Sequence, residues 1–137
     1  TNPDDLREWA PFDADRNLGT VGTVKLTTVG APSPLVSETE IKRAEAPRLL
    51  EFNWGGQEIR WELQPLGSGG TRLTLWHNID RRFIAMGAAG WHVCFDVLDR
   101  FLAGEFPKLE FADRVVVLRR RYWILSVPLG LWIRRDP

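Results

Sequence analysis

Two alternating apolar segments on either side of Gly55 and Gly56 constrain the fold more than any other feature of this sequence. Residues 49–54 and 57–63 each alternate apolar and polar side chains, which is typical of strands with one buried face. A pair of glycines between such segments readily supplies the positive φ angles that a tight hairpin turn requires. The sequence therefore predicts an antiparallel hairpin that turns at these glycines.

The register of this hairpin determines which side chains share a face. If Trp54 pairs with Gln57, alternate residues of both strands point in the same direction. The expected inner face then carries Leu50, Phe52, Trp54, Ile59, Trp61 and Leu63. Glu51, Arg60 and Glu62 fall on the opposite face. We therefore expect a sheet with one apolar side and one charged side.

A third strand is predicted over residues 71–79, after a glycine-rich turn at 67–70. Keeping the apolar faces together pairs Leu75 with Trp61 and His77 with Ile59. The turn lacks the lysine and the following helix of a phosphate-binding loop. It is therefore expected to act as a hairpin turn without a ligand.

The segments before this hairpin predict a short helix and two further strands. A short helix is predicted over residues 3–9, because Asn2 is a suitable N-cap and Pro3 stands at the first helical position. Alternation predicts strands over residues 19–28 and 35–44. The stretch between the helix and the first of these strands is interpreted as a polar connection.

The apolar period changes from two to helical over residues 82–103. One stripe of the predicted helix carries Ile84, Ala88, Trp91, Phe95, Leu98 and Leu102. Gly104 is suited to end the helix. Strands followed by one long helix predict an α+β fold in which an antiparallel sheet carries the helix on one face.

The composition narrows the functional classes. A chain of 137 residues has the size of one domain. Its formal net charge of zero gives no overall positive potential that would attract nucleic acid. A single cysteine, Cys94, rules out an internal disulfide and leaves no zinc-binding cluster. We expect Cys94 to be a small core residue. Residues 1–5 lack a signal-peptide pattern, so the sequence predicts a cytoplasmic protein without a cofactor or metal.

The C-terminal part differs from the rest, and we expect a division into residues 1–111 and an atypical tail over 112–137. Residues 113–137 hold six arginines and two aspartates, and the apolar run from Tyr122 to Ile133 is too short to span a membrane. A packed edge strand or an unordered tail is favoured over contact with a membrane surface.

Few residues are candidates for chemistry. His77 is expected on the inner face, where a neutral imidazole could orient a ligand or act as a general base. The competing interpretation is a hydrogen-bonded structural histidine. The sequence has no nucleophile elbow. No catalytic residue is therefore assigned.

Four segments together resemble one superfamily: residues 47–54, 59–67, 70–77 and 89–92. They are similar to START-like (SRPBCC) proteins, and within these to bacterial proteins like the C-terminal domain of the activator of the heat-shock-protein ATPase. The resemblance covers roughly residues 1–105 and implies a helix-grip fold, a curved antiparallel sheet wrapped around a long C-terminal helix with a cavity between them. It also implies a first strand and helix ahead of residue 3.

The resemblance implies that the cavity binds an apolar small molecule such as a lipid, a sterol, a polyketide or an aromatic metabolite. The expected ligand-binding residues are Phe52, Trp54, Trp61, Leu63, Leu75, His77, Trp91, Phe95 and Leu98. Two alternatives remain open: a cyclase or aromatase that uses His77 as acid or base, and a module that interacts with a chaperone. A second copy of the chain is a further candidate partner.

Overall fold

The computed structural model describes residues 1–29, 33–67 and 69–105, together with the backbone of residues 133–134. Within these residues, seven strands form one antiparallel sheet in chain order. The strands are β1 Phe12–Ala14, β2 Gly22–Thr28, β3 Val36–Glu45, β4 Leu49–Trp54, β5 Gln57–Pro65, β6 Thr71–His77 and β7 Ile133–Arg134. The helices are α1 Pro3–Trp9 and α2 Ile84–Leu102, the second preceded by a 3-10 turn over Arg81–Phe83. The fold is α+β, with a curled sheet and one long helix.

The predicted hairpins form in the predicted register. Phe52 pairs with Ile59, which pairs in turn with His77 on β6. Both turn glycines have positive φ angles, 58° at Gly55 and 79° at Gly56, which side chains with a Cβ rarely adopt. The alternation in the sequence therefore fixes which face of β4, β5 and β6 points inward.

A β-bulge in β3 changes the alternation of that strand. Ile41 pairs with Phe52, and Ala44 pairs with Leu50, with the register shifting between Ile41 and Arg43. Residues three apart in a regular strand point to opposite faces, but an extra residue at a bulge brings them to the same face. Ala44 consequently lies on the inner face with Leu50.

The inner face of the sheet packs against α2, and the core lies between them. Ile84, Trp91 and Phe95 are buried, as the predicted stripe requires, and Cys94 is buried as expected. Leu102 was expected to continue the stripe, but it is 74% exposed. A helix of 19 residues spans about 28 Å, whereas the six residues of β4 span about 20 Å. The last turn of α2 therefore has less sheet to pack against.

The N-terminal region contains a strand that the sequence did not predict. Residues 12–14 were interpreted as part of a polar connection, but they form β1, in which Phe12 pairs with Thr28 and Ala14 with Leu26. Three residues are too few to show a period. The helix before it begins as predicted, because the Asn2 side chain accepts a hydrogen bond from the backbone N–H of Asp4 at 3.2 Å.

The expected division at residue 112 and most of the predicted tail lie outside the described residues. Ile133 and Arg134 are the exception, since they pair with Leu75 and Thr74 at the edge of the sheet. Within the described part of the chain, no helix combines the length and the hydropathy needed to cross a bilayer.

Candidate functional site

A cavity of about 390 Å³ lies between the sheet and α2. It is located where the β3–β4 turn, the far end of β5 and the start of β6 approach the second half of α2. Its walls are formed by Thr1, Trp9, Gly19, Ala44, Glu45, Ala46, Pro47, Leu49, Leu50, Trp61, Leu63, Leu73 and Leu98. The walls therefore combine residues from α1, four strands, two connecting loops and α2.

Apolar groups dominate these walls. Trp9 and Trp61 form an aromatic corner, with ring centroids 5.4 Å apart. Among the lining residues, Glu45 contributes the one ionisable side chain, and its carboxylate accepts a hydrogen bond from Arg43 Nη2 at 2.7 Å. That carboxylate is paired and exposed, and Thr1 is the other polar residue of the lining, so the interior of the cavity is mainly apolar.

The structure divides the nine expected ligand-binding residues into two groups. Trp61, Leu63 and Leu98 line the cavity. The remaining six lie away from its walls: Phe52, Trp54, Leu75, His77, Trp91 and Phe95. Ligand contact by any of the nine stays a prediction, but the geometry limits direct contact with this cavity to the first three.

Five of these six residues belong to an aromatic block between the sheet and α2, and the sixth, Leu75, is buried beside them on β6. Phe52 meets Phe12 at a centroid distance of 5.7 Å and Trp61 at 5.5 Å, both edge to face. Trp91 meets Trp54 at 6.1 Å and Trp61 at 5.9 Å in the same geometry. Such contacts are favourable for aromatic quadrupoles. Aromatic rings therefore occupy the interior around Phe52 and Trp91.

Several wall residues were missed by the sequence reasoning. Trp9 was assigned to a short helix without a role, and Ala44 and Leu73 were not proposed as cavity residues. Alternation had already placed Leu50 on the inner face, so it could have been included. The small side chain of Ala44 could have indicated a cavity, because a small residue among large inward-facing ones leaves space. Its inward direction, however, depends on the bulge in β3.

His77 is buried on the inner face, with both ring nitrogens hydrogen-bonded. Trp91 Nε1–H donates to His77 Nδ1 at 3.1 Å. The proton of a neutral ring is therefore on Nε2, which donates to Gln57 Oε1 at 2.6 Å. Burial lowers the pKa of His77 from 6.5 to about 4. These contacts tie β6 to both β5 and α2, which favours the structural interpretation of this histidine.

We expect the imidazole of His77 to titrate with a midpoint near pH 4. The unfolded chain takes up this proton near pH 6.5, so stability is at its full value above that pH and declines as the pH falls toward 4. NMR of the ring Cε1–H signal measures the midpoint, and a His92→Gln variant assigns the two histidine signals. A His77 midpoint near 6.5 would contradict the buried, doubly hydrogen-bonded arrangement.

Metal binding and thiol chemistry have no support among the described residues. Residues 1–29, 33–67 and 69–105 contain no group of three or more His, Cys, Asp or Glu side chains that could hold a metal ion. Cys94 is completely buried, and desolvation raises the pKa of its thiol to about 12. A thiol of that pKa stays protonated at neutral pH and is a poor nucleophile.

A second depression lies at the β2–β3–β4 end of the sheet, with polar walls. It has a volume of about 470 Å³ and is bordered by Thr23, Ser37, Glu38, Thr39, Glu40, Asn53, Gly55 and Gly56. The Thr39 hydroxyl donates to the backbone carbonyl of Asn53 at 2.7 Å, so part of this polarity is used within the sheet. The apolar cavity is therefore the stronger candidate for a small-molecule site.

The fold and the cavity define an α+β protein in which a curled antiparallel sheet and a long helix enclose an apolar space. The chain is similar to a protein of Bordetella parapertussis whose solution structure was determined by NMR, with 25% sequence identity and a TM-score of 0.69. The similarity covers 96% of this chain and 79% of that protein. No family model and no curated protein matches the chain. The comparisons therefore support the fold of the chain and name no function.

Proposed function

We propose that this chain is a START-like protein with a helix-grip fold that binds an apolar small molecule between the sheet and α2. The observation that carries the proposal is the cavity of about 390 Å³ with apolar walls. Binding pockets for small molecules typically measure about 300–1,000 Å³ and have mainly hydrophobic linings. The cavity also lies between sheet and helix, where the superfamily resemblance puts a ligand.

The shape of the walls supports a compact ligand. The cavity volume of about 390 Å³ equals the share of about thirteen water molecules in the liquid and is roughly two and a half times that of a cavity that holds benzene, which leaves room for a two- or three-ring hydrocarbon. Trp9 and Trp61 present aromatic surface, while Leu50, Leu73 and Leu98 present branched aliphatic surface. Transfer of an apolar molecule from water to such walls is favourable by about 25 cal/mol for each Å² removed from water.

We propose binding in preference to turnover. His77, the residue on which a cyclase or aromatase would depend, does not line the cavity, and both of its nitrogens are occupied by Gln57 and Trp91. A general base needs a free nitrogen within reach of the substrate proton. A chaperone-binding role has no observation of its own in the described residues. The site is accordingly proposed as a binding site without acid–base chemistry.

Cumene, an aromatic hydrocarbon without hydrogen-bonding groups, is a suitable probe for this proposal. Titration with cumene is expected to shift the backbone amide NMR signals of Ala44, Leu50, Leu73 and Leu98 in a saturable way. Signals of Lys25 and Arg60, whose side chains lie on the outer face, should move much less. Absence of saturable shifts near the solubility limit of cumene, or shifts centred on the outer face, would overturn the proposal.

A further inference from the structure

The loop between β1 and β2, residues 15–21, contributes Gly19 to the cavity wall, together with Thr1 and Trp9 from the N-terminal segment. Strands and α2 form most of the remaining wall, and regular backbone hydrogen bonds set their positions. A loop lacks that regular bonding, so its position depends on individual contacts. The contacts that hold this loop therefore determine where the wall lies at Gly19.

The guanidinium of Arg16 holds the loop through each of its nitrogens. Nη1 donates to the backbone carbonyls of Asn17 and Thr20 at 2.8 and 3.0 Å, and to the Thr20 hydroxyl at 2.9 Å. Nε donates to the carbonyl of Thr23 at 2.6 Å, and Nη2 donates to the carbonyl of Gly22 at 2.7 Å. This side chain therefore ties carbonyls of the loop to carbonyls at the start of β2.

Gly19 lies between these contacts and a second anchor. Leu18, the residue before it, is completely buried, and its N–H donates to the backbone carbonyl of Thr1 at 2.9 Å. The Gly19 N–H donates to Asn17 Oδ1 at 2.7 Å. Gly19 is thus fixed on one side by Leu18 and on the other by the part of the loop that Arg16 holds.

We propose that Arg16 is a positioning residue of the binding site, which acts on the ligand through the wall at Gly19. Arg16 does not line the cavity, so any effect on binding is transmitted by the loop. A wall that is held in place before binding spares the ligand the entropic cost of ordering it. This inference rests on the proposed function, because it concerns the wall of the same cavity.

The fork shape of the guanidinium is what this arrangement needs. Arginine presents several donors in a rigid plane, whereas the ammonium group of lysine is a compact charge on a flexible stem. A lysine at position 16 would reach only some of the carbonyls that surround Arg16. Arg16→Lys therefore removes the fork and keeps the net charge of the chain.

Arg16→Lys is expected to weaken cumene binding by about fivefold in the full chain. Amide NMR titration measures the affinity, and urea-induced unfolding measures the stability of the same variant. A purely structural role of Arg16 would lower the stability but leave the affinity of the folded protein unchanged. Arg82→Lys is the matched control, because Arg82 pairs with Asp80 and neither residue lines the cavity. It should change the cumene affinity by less than about twofold.

A measurement on the unsubstituted protein covers the case in which Arg16→Lys fails to fold. The amide signal of Gly19 should shift with cumene at the same Kd as that of Leu50, and its hydrogen exchange should slow. If cumene does not bind in the cavity, the proposed function fails and this inference fails with it. If cumene shifts Leu50 but not Gly19, or if Arg16→Lys binds cumene as tightly as Arg82→Lys does, the proposed function stands and this inference is overturned.

Discussion

Replacing Phe52 with alanine is expected to lower the free energy of unfolding by about 4 kcal/mol. Phe52 is completely buried at the centre of β4 and meets Phe12 and Trp61 edge to face. Truncation removes those contacts and leaves a void that the surrounding rings are too rigid to fill. Urea-induced unfolding followed by far-UV circular dichroism gives the change.

Phe83→Ala is the matched control for this prediction. Phe83 is 44% exposed and contacts the Arg82 guanidinium at 5.7 Å from the ring centroid. Loss of an exposed ring with one such contact should cost less than about 1 kcal/mol. Equal effects of the two substitutions would show that the block around Phe52 is not the centre of the core.

Replacing Ala44 with tryptophan is expected to weaken cumene binding by at least about a hundredfold. The bulge in β3 brings Ala44 to the inner face opposite Leu50, where it lines the cavity. An indole ring added there projects into the space that a ligand would fill and narrows the cavity beside Leu50. The variant should keep the amide spectrum of a folded protein but show no saturable shifts with cumene.

Ala103→Trp provides the same change of side chain outside the cavity. Ala103 is exposed at the end of α2 and does not contribute to the walls. Its substitution should leave the cumene affinity within about twofold of the original. If Ala44→Trp binds cumene as tightly as Ala103→Trp does, the ligand does not occupy this cavity.

The contrast between the two ends of the sheet explains why a cavity exists at all. Toward the end of β6, Trp54, Trp91 and His77 meet in contacts that leave little room between sheet and helix. At the other end, Ala44 and Ala46 contribute small side chains to the cavity wall. The helix cannot approach the sheet more closely there, because the aromatic block sets the separation of the two layers. Small residues beside a rigid spacer therefore leave an apolar space.

The local pattern of the sequence was sufficient to predict the central sheet. The alternation around Gly55 and Gly56 leads to one register, because a shift by one residue would move every apolar side chain to the outer face. Leu50 pairs with Trp61 and Ile59 with His77, as expected. The long helix was equally well marked, since the spacing from Ile84 to Phe95 matches one helical face.

Short or irregular elements could not be predicted in this way. β1 is three residues long, so no period is available to recognise it. The bulge between Ile41 and Arg43 has no marker in the residue types, yet it reverses the face of Ala44. Pairing with a neighbouring strand stabilises both features.

The sequence by itself therefore determined an α+β fold, the register of the central strands and the set of apolar side chains that face the helix. Only the tertiary structure decided which of those side chains pack solidly and which border a cavity, and that His77 is held between Gln57 and Trp91. The reason is physical: alternation and helical period depend on neighbours along the chain, whereas the space between two layers depends on the combined sizes of side chains from distant segments.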